Sequence, residues 1–138
     1  MRRAARSMKY SERLAEAHRY LMVQRKQALA VTWLLEAQNA DGGWGGSRGV
    51  TSSIEETGVV LAALGRSVRD GDERRVSNAI ARGARWLMDA DVGAATAASP
   101  VGLYFARLWY YEDLYPLVFA VEGLAAARAA LTVPHNRT

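Results

Sequence analysis

Residues 38–46 read QNADGGWGG, and the rest of the chain is organised around this turn. A helical run carrying Trp33, Leu34 and Ala37 leads into Gln38. Asn39, Asp41 and two pairs of glycines then end it, because Gly reaches positive φ without a Cβ penalty and Asn and Asp bond their own backbone. Trp44 is the one large apolar residue among them. A lone indole in a glycine-rich turn is expected to pack on the helix ends to either side.

Helical spacing continues both ways from this turn. Upstream, Leu14, Ala17 and Leu21, then Ala28, Val31 and Leu35, recur every three or four residues and predict helix from about residue 11 to 38. The polar run Gln24, Arg25, Lys26, Gln27 is a place where that helix could bend or divide. Downstream, Ser53 with Glu56, or Ser52 with Glu55, forms a capping box. The helix it opens carries Val59, Val60, Ala63 and Leu64 and reaches Gly65, suited to a left-handed cap.

A further helix begins near Asp70 or Asp72, with Val76, Ile80, Gly83 and Leu87 on its apolar side and Arg74, Arg75, Arg82 and Arg85 mostly opposite. DVGAATAASP, residues 91–100, reads as a loop. An aromatic helix is then expected to end near Tyr111. A last helix starts at Glu112 or Asp113, with Pro116 in or near its first turn. No stretch shows the period-two alternation of a strand, so the expected fold class is all-α.

Composition limits the chemistry. With 138 residues, half of them apolar and 23% charged, the chain suits one globular domain. The absence of cysteine removes disulfides, thiolate nucleophiles and cysteine-based zinc sites, and fits a cytoplasmic setting. His18 and His135 have no partner at metal or triad spacing, so no metal or cofactor is expected. The basicity is concentrated in residues 1–26, where eight basic residues face two acidic ones. That arm reads as a solvated helix face. Its apolar residues Tyr10, Leu14, Tyr20, Leu21 and Met22 also allow peripheral contact with an anionic membrane, and it carries no nucleic-acid motif. MRRAARSMKYSER lacks the apolar core of a secretory signal. Arg107, Glu112 and Asp113 break the most apolar region, so no membrane span is expected.

An internal repeat is visible. WLLEAQNADGG from Trp33 is answered by WLMDADVG from Trp86, and GVVLAAL from Gly58 by VFAVEGLAAA from Val118. Units of roughly 55 to 60 residues imply helical hairpins that bury their apolar sides only against neighbours.

The pattern of aromatic, Leu, Gln, acidic spacer, Gly, any residue, Trp is carried by Trp33, Leu34, Gln38, Asp41, Gly42 and Trp44. It resembles the QW repeat of class II triterpene cyclases, the squalene-hopene cyclase group. Leu29 and Ala30 replace the usual opening residues of the repeat. A second copy keeps Arg82, Gly83, Trp86 and Leu87 but has Asp91 in place of Gln. SSIEETGVVLAAL from Ser52 and PVGLYFARLWYYEDLYPLVFAVEGL from Pro100 also resemble the C-terminal part of these enzymes, in matching order over about residues 27–128.

The charge distribution sets off a basic, helical arm at 1–26, the resemblance implies a cyclase C-terminal-like domain at 27–130, and residues 131–138 read as a tail. The domain would be an arc of an α/α toroid, an incomplete (α/α)6 barrel. It implies that the Gln of the repeat meets the N-terminus of the next helix and that the Trp stacks on it, a structural role for Trp33, Gln38, Asp41, Gly42 and Trp44. It places Tyr104 and Tyr111 among the aromatics of a substrate cavity, with Leu108 where a further aromatic belongs. Such rings attract travelling carbocations, worth about 2 kcal/mol in a dry pocket.

The family starts cyclisation by protonating an alkene with an acidic Asp in a DxDD motif. Asp89-Ala90-Asp91-Val92 supplies two of those acids, within the degenerate repeat, so no catalytic residue is assigned. Prenyltransferase β subunits and thioester domains share the toroid but require Cys. The expected partners are therefore a companion cyclase chain or a second copy meeting exposed apolar edges, and a polyprenoid ligand. The other reading is a non-enzymatic helical-repeat binding or scaffold module.

Overall fold

A computed structural model describes the backbone at residues 2–67, 73–90, 99–103, 108–112 and 114–132, and side chains at 13, 15–67, 74–90 and 114–132. Its elements are α1 (Arg2–Ala37), α2 (Ile54–Ser67), α3 (Glu73–Asp89), β1 (Ser99–Leu103), β2 (Leu108–Glu112) and α4 (Leu114–Thr132). The fold is helical, as the spacing predicts, with one short hairpin added. Two compact units divide the chain, Met1–Trp33 and Leu34–Thr138.

The first unit is helix. The polar run at 24–27 does not break α1, which continues through it and begins well before residue 11. Gln, Arg and Lys are good helix formers, so a gap in the apolar stripe need not be a gap in the helix. Tyr20, Leu21, Val23 and Leu29 are exposed.

In the second unit, Leu61, Leu64, Ile80 and Leu87 are fully buried and form the centre of the core with Trp44. The predicted inner face of α3 is observed, with Val76, Ile80, Gly83 and Leu87 all buried. The inner face of α2 includes Leu64 but not Val59. Ile54, Thr57, Gly58, Leu61, Ala62 and Leu64 are buried, while Val59 is 44% exposed.

α2 packs closely on α4. A Cβ on Gly123 would lie 2.6 Å from the Gly58 carbonyl oxygen, and one on Gly65 would lie 3.0 Å from Ala126. The contacts advance in the same direction along both helices, so α2 and α4 run side by side and parallel. Gly65 is thus an interior residue of α2 serving close approach, not the left-handed cap its type suggests. The tightest helix pair is not made of sequence neighbours, in contrast to the simple hairpin expectation.

Residues 108–112 correct the sequence reading most. They form a strand, not the end of an aromatic helix, pairing antiparallel with β1 from Ser99↔Glu112 to Leu103↔Leu108. β1 also takes the last two residues of the predicted loop at 91–100. Trp109, Tyr110 and Tyr111 suit extended backbone, and Pro100 is tolerated because a two-stranded ribbon has only edges.

Pro116 lies in the first turn of α4, as expected. This helix is long and apolar enough, by length and composition alone, to cross a membrane. The charges at 107, 112 and 113 all precede it, and only Glu122 and Arg128 fall within it.

Candidate functional site

The 38–46 turn is built by its own polar groups. The Gly42 amide donates to the Asn39 carbonyl and the Asn39 amide to the Gly43 carbonyl, each at 3.0 Å. Gly42 holds φ at 100°, a conformation that a Cβ would strain. Asp41 follows the Asx pattern, accepting the Gly43 amide at 3.0 Å. Asn39 instead reaches across the turn to the Val50 carbonyl at 2.7 Å and the Ser52 hydroxyl at 3.0 Å.

Trp44 leaves this turn for the core and is 1% exposed. Its ring lies on Gly83 of α3 and beside Leu61 of α2, and its indole N–H donates to the Leu34 carbonyl at 2.8 Å. Thr57, fully buried, completes the arrangement: its hydroxyl accepts the Trp44 amide at 2.9 Å and donates to the Trp44 carbonyl at 3.2 Å. That carbonyl also accepts the Ser53 amide at 2.9 Å.

Ser53 caps α2 through the Glu56 amide at 3.2 Å, so the Ser53–Glu56 alternative is the one adopted. Only half of the capping box forms, because Trp44 already satisfies the Ser53 amide. Ser52, of the other alternative, is engaged with Asn39 and Asp41.

Gln38 does not meet the N-terminus of α2. Its Nε2 donates to the Gly42 carbonyl at 2.8 Å and to the Ala79 carbonyl of α3 at 2.9 Å, and its Oε1 accepts from Arg82. α3 holds the turn a second time: the Trp86 indole donates to Asp41 at 3.1 Å. Burial by itself would raise the Asp41 pKa, but the Gly43 amide, the Ser52 hydroxyl and the Trp86 indole outweigh it and lower the value. A carboxylate that accepts from three donors is a poor source of protons, so Asp41 is a structural acceptor.

Trp33, the first residue of the repeat, is 47% exposed. No hydrogen bond of its indole is found among the described residues. Of the expected cavity positions, Tyr104 lies outside the described residues, while Leu108 pairs with Leu103 and Tyr111 with Pro100 across the hairpin. Helical spacing therefore does not apply at 108 and 111. Asp89 is exposed at the end of α3, and Asp91 lies outside the described residues. Among the described residues no group of three or more His, Asp or Glu could hold a metal.

Thr57, Ala79, Arg82 and Gly83 belong to the site although the sequence did not assign them to it. Gly83 carried a usable signal, since a glycine within an apolar stripe marks the place where a large ring approaches. Two open grooves flank the turn. One, of about 320 Å³, is lined by Asp41, Gly42, Arg82, Arg85, Trp86 and Asp89. The other, of about 570 Å³, is lined by Leu35, Gln38, Arg75, Asn78, Ala79 and Arg82. In the first the charges balance, and in both Arg82 is committed to Gln38.

Comparison with known proteins gives two uncharacterized relatives. The protein y4kT of Sinorhizobium fredii is 36% identical over 115 residues, covering 78% of this chain. The protein blr2149 of Bradyrhizobium diazoefficiens is 39% identical over 97 residues, covering 67% of it. No family model matches the chain, and no solved structure matches it significantly. The matched segments are 20% and 17% of the relatives' lengths, so the chain spans about a fifth of the curated proteins it resembles.

Proposed function

We propose that this chain is the C-terminal, cavity-lining part of a squalene-hopene cyclase-like terpene cyclase, inactive until a companion polypeptide supplies the initiating acid. The observation that carries the reading is the double hold of α3 on the turn, Gln38 to Ala79 and Trp86 to Asp41. Both donors come from the repeat positions of the sequence, and they act on each other's segments. The parallel packing of α2 on α4 gives further support, since repeated hairpins in a ring set every second helix parallel to its neighbour. On this reading α2, α3 and α4 form an arc of an α/α toroid, and the turn is its structural tie.

The ligand would be a polyprenoid, the reaction an intramolecular cyclisation, and the location cytoplasmic and peripheral to a membrane. The acid must come from elsewhere, because Asp41, the acid within the turn, is held as a carboxylate. The test uses a squalene-hopene cyclase that lacks its own C-terminal segment. Squalene should give cyclic product only when this chain is added. Product from the chain alone, or no recovery on addition, overturns the reading.

A second reading, a non-enzymatic helical-repeat scaffold, is favoured by the structural use of every polar side chain in the turn, Gln38, Asn39, Asp41 and Trp44. It predicts a stable monomer without lipid ligand or companion.

A further inference from the structure

Asp41 is followed directly by Gly42, in the turn that α3 clasps. An Asp-Gly bond is chemically labile, because glycine has no side chain to shield its amide nitrogen from the preceding carboxyl. In the reaction the Gly42 nitrogen bonds to Cγ of Asp41, and the amide proton, one carboxyl oxygen and a proton from solvent leave as water. The product is a cyclic imide, which water reopens at one of its C–N bonds. Opening at Cγ restores aspartate. Opening at the main-chain carbonyl leaves isoaspartate, with the backbone running through the former side chain.

In the folded turn both reacting groups are engaged elsewhere. The Gly42 amide donates to the Asn39 carbonyl at 3.0 Å, and the Gly42 carbonyl accepts from Gln38 at 2.8 Å. Oδ1 of Asp41 accepts the Gly43 amide at 3.0 Å and the Ser52 hydroxyl at 2.9 Å, and Oδ2 accepts the Trp86 indole at 3.1 Å. The Trp86 ring also lies against Gly43, where an added Cβ would stand 2.9 Å from it. To reach the nitrogen, the carboxyl must turn back on its own backbone and give up these donors. Asp41 is nonetheless exposed, so water has access for the second step.

We infer that Asp41–Gly42 is a covalent modification site, converted to isoaspartate when Trp86 and Ser52 release the Asp41 carboxylate. Conversion lengthens the main chain by a methylene and shortens the carboxyl arm by the same group. The carboxylate then no longer meets its three side-chain and backbone donors in register, and release of the turn becomes irreversible. The inference goes beyond the cyclase reading, because the reaction needs only the turn and water.

The test ages the purified chain at neutral pH, well below its melting temperature, and reads isoaspartate at residue 41 by peptide mapping. Mapping separates it from Asp70–Gly71, the other Asp-Gly pair in the sequence. Trp86→Phe keeps a ring against the turn and removes the indole donor, so isoaspartate should form at residue 41 roughly tenfold faster than in the native chain. Ser52→Ala removes a second donor and should act in the same direction, which covers the case in which Trp86→Phe does not fold. The chain unfolded in guanidinium chloride should be faster than either. Gly123→Ala loosens α4 without touching the turn and should leave the rate at residue 41 unchanged. The isoaspartyl form, isolated by ion exchange, should melt below the native chain. Equal rates in the folded and unfolded chains would overturn the proposal, as would folded variants of Trp86 and Ser52 that age like the native chain. An acceleration by Gly123→Ala as large as that by Trp86→Phe would also overturn it, since general loosening would then suffice. An isoaspartyl form with the native melting temperature would refute the claim of irreversible release.

Discussion

The six-membered ring of Trp44 covers the bare Cα of Gly83, and a Cβ added at that glycine would stand 2.5 Å from the ring. The contact joins a turn residue to the middle of α3, and one residue provides the volume that the other gives up. Trp44→Ala empties a buried site and should cost about 3–5 kcal/mol. Gly83→Ala overfills it and should cost about 1–3 kcal/mol. Combined, Trp44→Leu and Gly83→Ala should cost less than the sum of the single changes, since a smaller side chain leaves room for the new methyl. Thermal or urea unfolding of the native chain, Trp44→Leu, Gly83→Ala and their double mutant measures the coupling. Strict additivity would place the ring elsewhere.

Gln38 holds two carbonyls with one amide group, so its loss should be felt in two elements. Gln38→Ala removes the donors to Gly42 and Ala79 and the acceptor for Arg82. A cost of about 1–3 kcal/mol is expected, because the Ala79 carbonyl is then left without that donor. Gln38→Met keeps the length without the donors and should cost nearly as much. A melting temperature for Gln38→Met close to that of the native chain would reduce Gln38 to a space filler.

The Asp41 carboxyl has a folded pKa below its ordinary value of 3.8, owing to the Gly43, Ser52 and Trp86 donors. In this region the unfolded chain binds more protons than the folded one. The contribution of Asp41 to stability is therefore complete above the unfolded pKa and is lost as pH falls through the folded one. Stability should decline from about pH 5 downwards, and Asp41→Asn should show a shallower decline over the same range. Unfolding followed across pH 2.5 to 7 by circular dichroism decides it, and an identical acid limb in both proteins would contradict the assignment.

These contacts show how far the sequence can be read. The Ser53 cap and the Val76, Ile80, Gly83, Leu87 face are local patterns, and both appear as expected. The clasp of Asp41 by Trp86 joins residues 45 apart. Each is recognisable alone as a repeat position, but which part of the other repeat it touches depends on how the helices pack. The 108–112 strand was missed for a different reason. Its aromatics suit both helix and strand, and pairing with β1 decides between them. For the expected cavity positions the outcome follows from this: Leu108 and Tyr111 sit on a hairpin, and a helical register no longer relates them.

Close approach and backbone conformation can be separated by two glycines. Gly123→Ala sets a methyl 2.6 Å from the Gly58 carbonyl oxygen, and only a movement of α4 away from α2 relieves it. A loss of about 1–3 kcal/mol is expected, with α4 amides exchanging faster. Gly49 has a φ of 74° but nothing within 4 Å of an added Cβ, so Gly49→Ala should cost only about 1 kcal/mol from conformation. If the two costs proved equal, the α2–α4 contact would be looser than the geometry describes.

Thr57 offers the sharpest separation of hydrogen bonding from packing in the core. Its hydroxyl is fully buried and serves both backbone groups of Trp44, accepting from the amide and donating to the carbonyl. Thr57→Val is nearly isosteric and leaves no cavity, yet it deprives the Trp44 amide of this acceptor. The carbonyl keeps the Ser53 amide. The cost should be about 1–3 kcal/mol, the desolvation of one stranded donor. Thr57→Ser keeps the hydroxyl, loses one methyl, and should cost about 1 kcal/mol. The order Val worse than Ser is therefore expected in urea unfolding, with the Trp44 amide exchanging faster only in Thr57→Val. The reverse order would mean that the methyl, not the hydroxyl, is what the turn requires of residue 57.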